Sequence, residues 1–137
     1  MTSSSHWQAY TDGGSRGNPG PAGCGAHIID PNGAEHPFYK YLGKMTNNQA
    51  EYSGLLLALE ELKNLGATQV LIRADSELMV KQMRGEYRVK NPNILPLFQK
   101  AKQLAKEFAD IKFEHVRREF NKEADRLANV AIDEGVL

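Results

Sequence analysis

At 137 residues the chain has the length of one ordinary domain, and 41% hydrophobic residues suffice for a core. Seventeen basic residues balance seventeen acidic ones, so bulk charge alone does not announce a nucleic-acid binder. A lone cysteine, Cys24, excludes an internal disulfide framework, and no apolar run reaches membrane-spanning length. These features predict a single soluble, cytoplasmic domain over residues 1–137, with the Ser-rich residues 1–5 as a disordered tail. They imply no membrane and no obligate protein partner. Cys24, among the small residues of "AGCGAH", reads as a packed small hydrophobe rather than a reactive thiol.

In chain order, "HWQAYTD" (6–12) predicts a strand ending at Asp12, followed by a Gly- and Pro-rich loop. "GCGAHIID" (23–30) predicts a second strand halted by the turn tripeptide "PNG", and "HPFYKYLG" (36–43) a third. So short a connection implies an antiparallel pair. "TNNQAEYSGLLLALEELKNLG" (46–66) predicts a helix, with Thr46 and Gln49 at capping-box spacing and Gly66 as its stop. "TQVLIRADS" predicts a short strand ending at Asp75, and "SELMVKQMRG" a helix closed by Gly85. "NPNILPLFQKAKQLAKEF" starts as a loop and turns helical after Pro96, and "IKFEHVRR" (111–118) predicts a fifth strand. "NKEADRLANVAIDEG" (121–135) predicts a last helix with Asn121 as its N-cap. The order βββαβααβα predicts an α/β fold, a five-stranded mixed sheet with helices on both faces. Right-handed crossovers set the fourth strand parallel to the first, giving the order 3-2-1-4-5 and making Asp12 and Asp75 neighbours.

Charge is unevenly spread. Between Lys81 and Lys106 seven basic residues (Lys81, Arg84, Arg88, Lys90, Lys100, Lys102, Lys106) stand against one acid, Glu86. This suits a polyanion bound beside an acidic site, and equally suits solvated helix faces.

Four carboxylates occupy awkward positions. Asp12 and Asp75 end strands, although Asp75 ahead of "SELMV" also suits a helix N-cap. Glu51 heads the apolar stripe Leu55, Ala58 and Leu62, where an unpartnered carboxylate is costly. Asp125 lies between Ala124 and Ala128 and seven residues before Ile132, with small alanines that allow the sheet to come close. Converging carboxylates repel and raise one another's pKa unless cations intervene. Hard divalent ions resolve this, since Mg²⁺ takes carboxylates, waters and phosphate oxygens, and paired ions promote phosphodiester hydrolysis. A nucleotide cradle is the competing reading of the Gly-rich stretch. It fails because no Gly-Lys-Ser/Thr follows and because an anion cradle does not begin with an acid.

The segments "YTDGGSRGNPGPAG", "TNNQAEY", "ADSELMVKQ" and "NKEADRLA", in this order from about Trp7 to Ile132, resemble those of the ribonuclease H type 1 family. The resemblance implies a ribonuclease H-like fold and an endonuclease that hydrolyses the RNA strand of RNA–DNA hybrids. It implies two Mg²⁺ ions, with Mn²⁺ as a substitute, and products with 3′-hydroxyl and 5′-phosphate ends. By that likeness Asp12, Glu51, Asp75 and Asp125 are the metal ligands. The backbone around Gly13, Gly14 and Ser15, with Asn47, Asn48 and Gln49, would line the minor groove and sense RNA 2′-hydroxyls, and Arg16 would be a further substrate contact. Asn18 and Thr46 match positions that hold a phosphate of the DNA strand, while Thr46 and Asn47 also suit helix capping.

Two departures accompany the likeness. Many bacterial members carry a long basic insertion where this chain has "GEYRVKNPN", which leaves the grip to Arg84, Arg88 and Lys90. The stretch "VRREFNKEAD" also lacks the bacterial loop histidine and is similar to archaeal-type members, whose arginine corresponds to Arg118. Arg118 stays protonated and cannot serve as a general base, but it could stabilise phosphate charge or help product leave. His115 alternates with Ile111 and Phe113 and is expected to be a packed or partly buried strand residue; His6, His27 and His36 show no metal-ligand spacing. The competing readings are a hybrid-binding module that does not cut and another nuclease or strand-transfer enzyme of the same fold. The four acids weigh against the first and "TNNQAE" against the second.

Overall fold

Alternating aromatic, branched and small residues build five strands, and the computed structural model describes residues 6–137 of the chain. The expected tail at residues 1–5 lies outside the described residues. In order, the elements are β1 (His6–Ser15), β2 (Gly20–Ile29), β3 (Glu35–Met45), α1 (Asn47–Asn64), β4 (Gln69–Ala74) and α2 (Glu77–Met83). They continue with α3 (Leu95–Ala105), β5 (Asp110–His115), a 3₁₀ turn (Arg118–Phe120) and α4 (Lys122–Gly135). The sheet order is β3-β2-β1-β4-β5, as the sequence predicts. β1 pairs antiparallel with β2 and parallel with β4, and Thr11 opposite Ala74 is the last rung of the parallel pair. Asp12 and Asp75 follow those two residues directly, at the point where β4 leaves the sheet.

Helix α1 begins with the expected capping box. The Thr46 hydroxyl accepts from the Gln49 amide at 3.2 Å, and the Gln49 side chain accepts from the Thr46 amide at 2.9 Å. Leu55, Ala58, Leu59 and Leu62 are fully buried beneath it, packed with Ala9, Ile28, Val70 and Ile72 of the sheet. On the other face α4 buries Ala124, Leu127, Ala128, Ala131 and Ile132. It lies so close to β2 that a Cβ on Gly25 would stand 2.7 Å from the Ala124 carbonyl oxygen.

The largest departure concerns the Gly-rich stretch. β1 does not end at Asp12 but runs on through Ser15, and β2 starts at Gly20 rather than Gly23, so only residues 16–19 lie between them. Gly13 and Gly14 pair with Cys24 and Gly23 as strand residues. Their lack of side chains serves packing: a Cβ on Gly13 would lie 2.0 Å from the Ala50 carbonyl oxygen, inside α1. The reverse contact is as tight, with a Cβ on Gly54 reaching 2.6 Å from the Asp12 carbonyl oxygen.

Three smaller corrections follow. β5 ends at His115, because the following residues turn into the 3₁₀ segment, and His115 is exposed at the sheet margin rather than packed. Helix α3 starts at Leu95, with Pro96 inside its first turn, where a missing N–H costs no hydrogen bond. Asn121 precedes α4, yet its side chain makes no capping hydrogen bond and turns into the protein instead. Among the described residues no helix is long and apolar enough to cross a membrane.

Candidate active site

Four elements deliver one carboxylate each to a single pocket of about 450 Å³. β1 brings Asp12, the first turns of α1 bring Glu51, the end of β4 brings Asp75 and the first turn of α4 brings Asp125. The glycine contacts between β1 and α1 explain how Glu51 comes over the strand. Asp75 is free to face the pocket because Ser76, not Asp75, caps α2, its hydroxyl accepting from the Met79 amide at 3.2 Å. The N-cap alternative for Asp75 is thereby set aside.

Electrostatics mark this cluster as unusual. Burial, then the nearby Asp75 charge and a hydrogen bond with Asp125, push the Asp12 carboxyl up from 3.8 to about 8. Burial likewise raises Glu51, countered in part by a hydrogen bond from Ser76 and by the positive charge of Arg118. The Asp12 carboxyl therefore keeps its proton where an isolated aspartate would be charged. Such a donor set fits a hard divalent cation, which would displace that proton and relieve the repulsion. Among the described residues no group of three or more Asp, Glu, His or Cys side chains already stands placed to hold a metal ion. The acids ring the pocket instead, and Mg²⁺ matches such a ring because it binds through one or two carboxylates and keeps several waters.

The match to known proteins is extensive. A family described as reverse transcriptase-like matches residues 10–131. A bifunctional protein of Mycobacterium tuberculosis is 47% identical over 124 residues, which is 89% of this chain and 34% of that protein. The chain therefore spans about a third of that relative's length. A ribonuclease H of Pseudomonas savastanoi pv. phaseolicola is 30% identical over 143 residues, covering 93% of each. The chain belongs to the ribonuclease H family. Its fold superposes on LC11-RNase H1 in complex with RNA/DNA hybrid with a TM-score of 0.90. That protein is 44% identical, and the match covers 96% of this chain and 99% of the other.

Within the ribonuclease H domain, Gly13, Gly14, Ser15, Arg16, Asn47 and Arg118 line the same pocket as the four acids. Asn47 holds the strand end, its Oδ1 accepting from the Ser15 amide at 2.9 Å. Arg16 is engaged across the pocket mouth, 2.7 Å from Asp133 and 3.3 Å from Asn129 Oδ1. Asn18, Thr46, Asn48 and Gln49 stand outside the pocket. Asn18 accepts from the Asn47 amide at 3.1 Å, Thr46 and Gln49 form the capping box, and Asn48 borders a smaller neighbouring hollow with Tyr52 and Asn91.

Sequence reasoning overlooked Asn129 and Ile132, which line the pocket one and two turns beyond Asp125. The helical spacing from Asp125 held that signal. The basic flank is divided: Arg84 joins Lys102, Lys106 and Lys112 around a separate groove of about 540 Å³, whose floor includes Met83 and Phe108. Arg88 and Lys90 are exposed on either side of buried Val89.

Proposed function

We propose that this chain is an endonuclease that hydrolyses the RNA strand of RNA–DNA hybrids, acting as one ribonuclease H domain. The observation that carries the reading is the convergence of Asp12, Glu51, Asp75 and Asp125, from four separate elements, on one pocket. The close likeness to a ribonuclease H1 described in complex with a hybrid supports the substrate class. Asp12, Glu51, Asp75 and Asp125 would hold two Mg²⁺ ions, or Mn²⁺ in their place. When bound, such ions lower the pKa of a water and offset charge on the departing oxygen, giving 3′-hydroxyl and 5′-phosphate ends.

The protein's own groups supply the rest. The main chain around Gly13, Gly14 and Ser15, with Asn47, Asn48 and Gln49, lines the minor groove and reads the 2′-hydroxyl that DNA lacks. Arg16, Asn18 and Thr46 hold backbone phosphates, Arg16 by leaving its exposed ion pair with Asp133. Arg118, whose charge already reaches Glu51, offsets negative charge on the scissile phosphate. Arg88 and Lys90 add a salt-sensitive grip on the duplex.

The test uses end-labelled RNA–DNA hybrid, single-stranded RNA and duplex DNA, each with Mg²⁺ and with chelator. The expected result is chelator-sensitive cleavage confined to the RNA strand of the hybrid. Equal cutting of all three substrates, or tight hybrid binding without cutting, overturns the assignment.

A further inference from the structure

Asn121 lies outside the pocket of the four acids yet is hydrogen-bonded to the main chain beside two of them. Asn121 is 1% exposed, among the few buried polar side chains of the described residues. It stands where an N-cap would, but its side chain leaves α4 uncapped and crosses to the sheet. Its Nδ2 donates to the Thr11 carbonyl oxygen at 2.9 Å, 110 residues away in sequence. Thr11 is the last residue of β1 paired to β4, so this carbonyl lies where the parallel ladder runs out. Meanwhile the Asn121 main-chain oxygen accepts from the Asp125 amide at 3.1 Å, and its main-chain N–H donates to the Arg118 carbonyl at 2.9 Å.

One buried residue therefore ties three parts of the site together: the peptide before Asp12, the peptide of Asp125 and the turn carrying Arg118. An asparagine used only to cap α4 would bond locally, to the first turn of its own helix. Here that bond is forgone, and the Asn121 Oδ1 is left without a hydrogen-bond partner among the described residues. A buried orphan of this kind has a cost of its own. The arrangement makes sense if what matters is where β1 and α4 sit relative to each other.

We propose that Asn121 is a positioning residue that fixes the separation of Asp12 and Asp125 and so sets the divalent-cation affinity of the site. The proposal rests on the metal-dependent nuclease reading above. Groups hydrogen-bonded to metal ligands are worth about 10- to 100-fold in metal affinity, and a group that sets the main chain beside two ligands belongs at the lower end of that range.

The test titrates Mn²⁺ calorimetrically into metal-free wild type and Asn121→Ala, without nucleic acid. A fully buried core variant outside the pocket of the four acids, Leu59→Ala, serves as a control for general destabilisation. Asn121→Ala is expected to lose at least about tenfold in Mn²⁺ affinity while Leu59→Ala stays within about twofold. In cleavage assays the Mg²⁺ concentration for half-maximal rate rises for Asn121→Ala, with KM for hybrid unchanged at saturating Mg²⁺. Should Asn121→Ala fail to fold, Asn121→Ser, which keeps a polar group too short to reach Thr11, replaces it with the same expectation. Equal Mn²⁺ affinity in the Asn121 variant and wild type, or an equal loss in Leu59→Ala, overturns the proposal. Metal binding that depends on Asn121 in a wild type that cuts no hybrid leaves this inference standing and removes the nuclease reading instead.

Discussion

Asp12 holds its proton to about pH 8, far above its ordinary 3.8, because burial and two neighbouring aspartates disfavour its charge. A carboxyl raised on folding stabilises the folded state fully below its unfolded pKa, and that stability is lost as pH rises through the folded pKa. Chelated protein should therefore lose thermal stability between about pH 4 and pH 8, read as a falling Tm. Asp12→Asn should raise the Tm of the chelated protein at pH 8 and change it little at pH 4. Asp75→Asn is expected to lower kcat by about three orders of magnitude or more, ~4 kcal/mol of transition-state stabilisation. Hybrid binding, measured by fluorescence anisotropy, should change only a few-fold, since Ser76 rather than Asp75 caps α2. Arg118→Ala removes one charge-assisted contact and should lower kcat by about 10- to 100-fold. An unchanged rate would take Arg118 out of the site.

At the scale of elements, the site stands on the interlock of β1 and α1. Gly13 admits the α1 backbone and Gly54 admits the Asp12 carbonyl, so strand and helix meet without intervening side chains. Gly54→Ala places a methyl against backbone that cannot swing aside. It should destabilise by about 1–3 kcal/mol in urea denaturation and lower activity by displacing Glu51. Local signals of this kind were legible where the bond they describe is local. Thr46 and Gln49 are three residues apart, and their capping box stands as read. The period of Leu55, Ala58 and Leu62 marked the buried face of α1, and the four acids could be placed because strand order follows from chirality. Gly13 and Gly14 misled because glycine marks both turns and close packing, and the helix that needs Gly13 bare is supplied by Ala50, far along the chain. Asn121 misled for the same reason: its position relative to α4 is that of a cap, while its actual partner is Thr11. Strand alternation predicts a packed or partly buried His115, but it does not reveal that a strand's last residue lies at an exposed margin.

For the whole molecule, bound cations should act as a folding ligand. Mg²⁺ that binds the native acids but not the unfolded chain raises stability with concentration. The gain in Tm should be larger at pH 8 than at pH 6, because the ion takes over a repulsion that protons otherwise relieve. The same sheet supplies a way to watch these changes. Cys24 sits at the centre of β2, fully buried, with its thiol pushed up to about 12 by that burial. A thiol reagent cannot reach it unless α1 and the sheet part, so labelling of this single cysteine times the opening of the protein around the active strand. Labelling should be slow for the native protein, slower still with Mg²⁺ and faster for Gly54→Ala. One small side chain, silent in the chemistry, thus serves as a built-in clock for how often the catalytic scaffold comes apart.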